Sequence, residues 1–192
     1  ASKATQIIFT NNTGVNSSNI RFWIAKDPYG NNSDKYGYFM DADKSINGNV
    51  ITAHLSHPKY LDTLAIYRSD VIQIIDVANP NSPIYTIPVQ IYRAPVVMVH
   101  GFTGGGSNES FLTTREKLYN TGKYFSRAFL YVPDYHKNSL KKFETNQYVV
   151  DYAIDNILYT LRNDGFSCGK TDIVGFSMGG LLSRIYLQSQ SY

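Results

Sequence analysis

The feature that most restricts the fold is a serine set between two glycines, where a predicted strand passes into a predicted helix. Ser177 has Gly175 two residues before it and Gly179 two residues after it. A serine on so sharp a turn has a strained backbone, and side chains at the two glycine positions would collide. The alternative is a glycine-rich turn that serves packing alone. The strand before the turn and the helix after it favour a functional serine whose hydroxyl faces an open site.

Strand and helix patterns alternate from Arg93 onward. Pro95 to His100 form a continuous apolar run, which is typical of a buried parallel strand. The other predicted strands are 128–132 and 171–176, and the predicted helices are 109–120, 144–162 and 178–188. Alternation at this spacing predicts an α/β fold class, with a parallel sheet and flanking helices.

The first part of the chain has a different pattern, with short β-branched and aromatic runs between turn residues. Predicted strands cover 6–10, 20–25, 37–40, 50–55, 63–68, 71–77 and 84–92, with a tight hairpin at Ser69-Asp70 and a turn at Asn47-Gly48-Asn49. So many short strands predict a small all-β sandwich. We therefore expect two domains: a sandwich-like accessory domain over 1–92 and part of an α/β domain over 93–192.

Composition excludes several classes of protein. Hydrophobic residues are 43% of the chain and charged residues 17%, so a substantial core can form and disorder is not indicated. A net charge of +3, evenly spread, argues against a nucleic-acid partner. Cys168 is the single cysteine, so no internal disulfide can form. A polar surface built from Asn, Ser, Thr and Tyr favours a secreted or cell-envelope location.

A second motif, His100-Gly101-Phe102, directly follows the apolar strand. Acyl transfer needs two backbone N–H groups aimed at one oxygen. We expect Met178, which follows the serine, to supply one N–H and Phe102 to supply the other, with His100 and Gly101 shaping the loop. The glycine-rich run 103–107 is expected to let this loop approach the substrate closely.

A phosphate-binding interpretation of the glycine-rich run fails. No Gly-Lys-Ser/Thr follows it, and the spacing does not give Gly-x-Gly-x-x-Gly. No set of calcium or zinc ligands with recognisable spacing occurs either. The sequence therefore predicts no cofactor and no metal.

Residues 95–188 resemble the N-terminal half of α/β-hydrolase lipases and esterases. The resemblance rests on Val-Met-Val-His-Gly-Phe at 97–102, Tyr-Val-Pro-Asp-Tyr at 131–135 and the stretch from Asp172 to Arg184. That family usually has His before the nucleophile, where this chain has Phe176. The resemblance implies a partial α/β-hydrolase sheet, preceded by a β domain that resembles no family we can identify.

The resemblance also implies a function, that of a serine esterase or lipase. Ser177 would attack an ester carbonyl, the N–H groups of Phe102 and Met178 would hold the oxyanion, and water would hydrolyse the acyl-enzyme. The expected partner is an ester or lipid substrate, with transient contact to a lipid surface.

The rest of the catalytic triad is missing from the sequence. In this fold the order is Ser, then Asp or Glu, then His. The residues after Ser177 include none of these three types. Among the earlier histidines, His136 lies in a loop that could approach the site, whereas His54 and His57 lie in the β half. We therefore expect the sheet and the triad to be completed by a further C-terminal segment or by a complementing chain.

A second hypothesis belongs to a different functional class. The α/β half would be a catalytically inactive hydrolase-like scaffold, and the β half an adhesion or carbohydrate-binding module. Four aromatic residues could stack on sugars: Trp23, Tyr29, Tyr36 and Tyr38. The alternative for these residues is packing in or over the core of the sandwich.

Overall fold

The computed structural model describes residues 5–40, 44–58, 61, 65–102, 105–138, 141, 143–146 and 148–189. The chain passes from one compact unit to a second between Tyr92 and Arg93. Each unit has its own buried apolar cluster. No helix in the described part of the chain combines the length and the apolar character needed to cross a membrane.

The first unit consists of two antiparallel sheets. Its elements are β1 (Thr5–Thr10), β2 (Ile20–Ile24), α1 (Ser33–Tyr36), β3 (Tyr38–Phe39), β4 (Ser45–Asn47), β5 (Val50–Ser56), β6 (Tyr67–Asp76) and β7 (Tyr85–Tyr92). One sheet has the order β1–β5–β3, with β4 also paired to β5. The other has the order β2–β6–β7. A left-handed Gly48 (φ +60°) stands in the turn that joins β4 to β5.

The core of this unit lies between the two sheets. Burial alternates along β2 and β5, as expected of strands with one face inside. Ile20, Phe22 and Ile74 of one sheet pack in a single cluster with Ile51 and Ala53 of the other. The described strands therefore form a two-layer β sandwich.

The predicted hairpin at Ser69-Asp70 is wrong, because β6 runs through both residues without a break. It pairs with β7 from Tyr67 opposite Tyr92 to Ile74 opposite Tyr85. Asp70, a residue type that favours turns, is buried here beside the guanidinium of Arg68, with Nε and Oδ2 3.7 Å apart. This charge pairing lets the carboxylate occupy an inward strand position. Residues 63 and 64 of the predicted 63–68 strand lie outside the described residues.

The second unit is an α/β layer. Its elements are β8 (Val96–Val99), α2 (Gly105–Asn120), β9 (Leu130–Tyr131), α3 (Phe143–Asn146), α4 (Tyr148–Asn163), β10 (Asp172–Gly175) and α5 (Met178–Ser189). The three strands are parallel, in the order β10–β8–β9. The predicted α/β class is confirmed at this level.

The centre of the second unit is β8. All four of its residues are buried, so both faces of this strand are covered. Val96 and Met98 pack with Phe111 of α2 and Leu130 of β9. The apolar face of α4 is buried as its 3.6-residue period predicts. Helices α4 and α5 also contact each other and β8.

Two predicted boundaries need correction. Helix α2 begins at Gly105 rather than at residue 109, so 105–107 are helical and do not form a loop over the substrate. Glycine is a poor helix former, but the first turn lacks intrahelical N–H partners and tolerates it best. Thr103 and Gly104 lie outside the described residues. The predicted helix 144–162 is divided into α3 and α4, and Gln147 between them is also outside the described residues.

Candidate active site

Ser177 lies on the turn between β10 and α5 and has an unusual backbone conformation. Its φ of +53° makes it the one non-glycine residue of the described chain in the left-handed region. That conformation is costly for a residue with a Cβ. The residue is exposed, so the strained turn presents it to solvent.

The two glycines around Ser177 are required by close approach of the backbone. A Cβ at Gly179 would lie 2.0 Å from the carbonyl oxygen of Val99 and 2.5 Å from that of His100. A Cβ at Gly175 would lie 2.7 Å from the carbonyl oxygen of Gly179. All three distances are far inside van der Waals contact, so the Gly-x-Ser-x-Gly spacing follows from packing around this turn.

The loop after β8 lies directly beside Ser177. A Cβ at Gly101 would stand 3.0 Å from the Cβ of Ser177 and 3.2 Å from Cδ1 of Phe176. Phe176 donates its N–H to the carbonyl of Val99 (3.1 Å), which extends the pairing of β8 with β10 to the edge of the turn. The two motifs, 75 residues apart in the sequence, therefore meet in space.

The two predicted oxyanion donors lie on these adjacent segments. Met178 is the first residue of α5, where N–H groups have no partner within the helix. The next two N–H groups are used, since Gly179 donates to Phe176 and Gly180 to Ser177, both at 2.9 Å. Within the described part of the chain, no hydrogen bond is made by the N–H of Met178 or of Phe102.

His100 is buried and holds its own loop. Its Nδ1 lies 2.9 Å from the carbonyl oxygen of Gly101, and since that oxygen only accepts, Nδ1 donates. The imidazole stacks on the ring of Tyr135, with centroids 3.9 Å apart and planes 18° from parallel. Tyr135 also donates its hydroxyl to the carbonyl oxygen of His100. His100 is thus a structural member of the loop.

Tyr135 is a site residue to which the sequence reasoning assigned no role. It follows β9, the strand next to β8 in the sheet, and is buried. Burial raises the pKa of Tyr135 to about 12, so its hydroxyl remains a donor at neutral pH. The available signal was its place shortly after a strand, where loops of parallel sheets gather.

Three large apolar residues on the segments next to Ser177 are exposed. Phe102 and Leu181 are about half exposed, and Phe176 is 66% exposed. A contiguous exposed apolar patch often marks a binding site, and these three residues are the candidates for one beside Ser177.

The three histidines other than His100 lie on elements different from the loop 100–102 and the Ser177 turn. His54 lies on β5 and His57 just after it, in the β sandwich. Asp134 is exposed after β9. His136 begins a short 3₁₀ turn, and its side chain lies outside the described part. The described residues contain no cluster of three or more His, Cys, Asp or Glu that could hold a metal ion.

The four aromatic residues considered for sugar binding differ in burial and in contacts. Tyr36 packs against the core cluster of Ile24, Leu55 and Ile72. Tyr38 is half-buried in β3. Trp23 and Tyr29 pack on each other, with ring centroids 5.5 Å apart, and Tyr29 is 78% exposed.

The model of one protein family, described as "Putative serine esterase (DUF676)", matches residues 94–191. The match begins two residues before β8 and includes the loop after β8, the Ser177 turn and α5. No curated protein and no solved structure matches the chain.

Proposed function

The chain belongs to the "Putative serine esterase" family, and from that premise we propose that it is a carboxylic-ester hydrolase of the α/β-hydrolase superfamily with Ser177 as its nucleophile. The observation that carries the proposal is the exposed, left-handed Ser177 (φ +53°) packed against the loop 100–102. A strained serine between a strand and a helix N-terminus is the arrangement that acyl transfer uses.

In the proposed reaction, the Oγ of Ser177 attacks the ester carbonyl carbon while a general base takes its proton. The tetrahedral oxyanion accepts hydrogen bonds from the N–H groups of Phe102 and Met178. The N-terminus of α5 adds a favourable dipole at the same place. The alcohol then leaves with a proton, and water hydrolyses the acyl-enzyme by the reverse sequence.

The general base and the triad acid are proposed to come from a segment or chain that packs beside β10. Within the described residues β10 pairs with β8 alone, and Val174 in its middle is 46% exposed. A parallel strand with an open side offers unpaired N–H and C=O groups to a further strand. A His and an Asp or Glu delivered along that side would reach Ser177 at the carboxyl ends of the strands.

The proposed substrates carry an apolar acyl group. The side chains of Phe102, Phe176 and Leu181 offer an apolar surface beside the nucleophile. The same surface suits transient contact with a lipid aggregate. A lipase preference and a secreted or cell-envelope location are part of this proposal.

A fluorophosphonate probe tests the proposal on the full-length protein. We expect covalent labelling at Ser177, located by peptide mass spectrometry, and none in Ser177→Ala. Ser189→Ala, an exposed serine at the end of the same helix, is the matched control and keeps full labelling. A folded full-length protein that resists labelling would refute the assignment. Rates on p-nitrophenyl esters of increasing chain length then measure the acyl preference.

A second candidate function, saccharide binding by the β sandwich, is favoured by one concave surface. An open cleft of about 590 Å³ includes Ser69, Val71, Pro88 and Gln90 in its lining. These residues pair across β6 and β7, outside the sandwich core. In the strand register, the contacting pair Tyr67–Tyr92 comes two residues from the Ser69–Gln90 pair. At the other end, Trp23, which contacts Tyr29, pairs with Gln73, two residues from Val71.

Aromatic rings that flank polar side chains suit a neutral oligosaccharide. Calorimetric titration of the full chain with a chito-oligosaccharide tests this. We expect Trp23→Ala to weaken binding and Tyr85→Ala, an exposed tyrosine on the other side of β7 in register, to leave it intact. Equal affinities of the two variants would exclude this cleft.

A further inference from the structure

We propose that Tyr135 is a positioning residue of the esterase site. It directs the Phe102 N–H toward the oxyanion by holding both the backbone carbonyl and the imidazole ring of His100. The inference rests on the proposed function. Tyr135 makes two different contacts with His100: its hydroxyl donates to the backbone carbonyl, and its ring stacks on the imidazole. Both reach the loop that contains the proposed oxyanion donor.

The direction of the Phe102 N–H follows from the carbonyl of Gly101. The two groups belong to one planar trans peptide and point in opposite directions. The Nδ1–H of His100 donates to that carbonyl at 2.9 Å. A rotation of this peptide would redirect the N–H and break the hydrogen bond. The imidazole therefore sets where the Phe102 N–H points.

The imidazole keeps its place because Tyr135 limits its movement. The two rings are nearly parallel with centroids 3.9 Å apart, so the imidazole cannot swing toward Tyr135. The hydroxyl of Tyr135 meanwhile holds the preceding peptide through the His100 carbonyl oxygen. The same oxygen lies against Gly179, where a Cβ would come within 2.5 Å of it. Two consecutive peptides of the loop are thus fixed before substrate arrives, which lowers the cost of organising the site.

Tyr135→Phe separates positioning from simple packing, because it keeps the stacked ring and removes one donor. We expect kcat on a p-nitrophenyl ester to fall about tenfold, below the roughly 10²–10³-fold loss of a whole oxyanion donor. KM should change by less than about twofold. The rate of Ser177 labelling by a fluorophosphonate should fall by a similar factor to kcat.

Tyr131→Phe is the matched control. Tyr131 is a half-buried tyrosine of β9, and its side chain interacts with Asn156 of α4. Tyr131→Phe likewise removes one hydroxyl from a partly enclosed tyrosine and keeps its ring, so the melting temperature should fall about as much as in Tyr135→Phe. Unlike Tyr135→Phe, it should retain kcat.

The outcomes separate the two proposals. If the wild-type full-length protein is not labelled, the esterase proposal fails. If it is labelled and Tyr135→Phe has the kcat of Tyr131→Phe, the positioning inference alone is overturned. A second pair of variants tests the inference if Tyr135→Phe proves unstable. His100→Asn keeps an N–H donor near the position of Nδ1, whereas His100→Leu does not. We expect higher kcat in His100→Asn, and equal values would overturn the inference.

Discussion

At the scale of single residues, the site is defined by how closely backbone segments approach. The Gly-x-Ser-x-Gly pattern predicted the serine and its sharp turn, and the structure explains why glycine is needed at each of the two flanking positions. Gly179 has no room for a Cβ against Val99 and His100, whereas the following residue, Gly180, has its nearest contact at 3.6 Å. The motif position already singles out Gly179 in the sequence, and the difference between these contacts is its structural reason.

Gly179→Ala should therefore be severely destabilising, and Gly180→Ala should not. The first change places a Cβ 2.0 Å from a backbone oxygen of β8, which can give way only if the strand moves. Overpacking of this kind costs about 1–3 kcal/mol or more. The second replaces a helical glycine of α5 and should stabilise by up to about 1 kcal/mol. Thermal melts of both variants measure the contrast; similar melting temperatures would contradict this account of the motif.

Ser177→Gly should raise stability while abolishing labelling. Glycine adopts φ +53° without the steric penalty of a Cβ, so strain of about 1 kcal/mol is relieved. Ser177→Ala keeps the Cβ and should leave the strain in place. Chemical denaturation of the wild type and the two variants ranks their free energies of unfolding. If Ser177→Gly proves less stable than Ser177→Ala, the turn does not store strain at this residue.

At the scale of elements, hydrophobic periodicity predicted the strands and helices that bury an apolar face. The boundaries that it missed depend on single residues and on contacts between distant segments. Helix α4 and strand β8 were predictable because their apolar patterns match the faces they bury. The break proposed within β6 was wrong because β7 pairs with Ser69 and Asp70 as well as with their neighbours, a contact between distant segments that local sequence does not reveal. The start of α2 at Gly105 was missed because glycine carries little helical signal. Tyr135 had no role until the fold brought it to His100.

The buried face of α4 gives a prediction at this scale. Leu161 is fully buried, so Leu161→Ala should cost about 2–5 kcal/mol of unfolding free energy. Tyr159, on the same helix, is 66% exposed, and Tyr159→Ala should cost well under 1 kcal/mol. Urea denaturation of the two variants checks the difference. A comparable cost for both would mean that α4 packs through another face.

At the scale of the whole molecule, the two units differ in how completely their sheets are enclosed. Strands of the sandwich pair within two antiparallel sheets around a shared core. In the parallel sheet, β10 has β8 on one side, and α5 beyond it exposes Leu181 and Ile185, one helical turn apart. The described residues therefore leave an apolar border along β10 and α5.

That border should make the 192-residue chain associate in solution. Exposed apolar stripes next to an open strand edge are association surfaces. We expect the double variant Leu181→Lys, Ile185→Lys to reduce both light scattering at high concentration and binding of an apolar dye. Tyr152→Lys, which changes an exposed aromatic residue on α4, is the control and should have little effect. Unchanged association in the double variant would place the contact surface elsewhere.

The central place of β8 has a consequence for biosynthesis. Its neighbour β9 follows about 30 residues later in the chain, but β10, on its other side, emerges only after Asp172 has been made. At about 5–20 residues per second, ribosomes need roughly 4–15 s to translate the segment between the end of β8 and the start of β10. During this interval one flank of a Val-rich strand has no partner from its own chain. A nascent polypeptide in this state is a natural client for chaperones, and slow translation between β9 and β10 would lengthen its exposure.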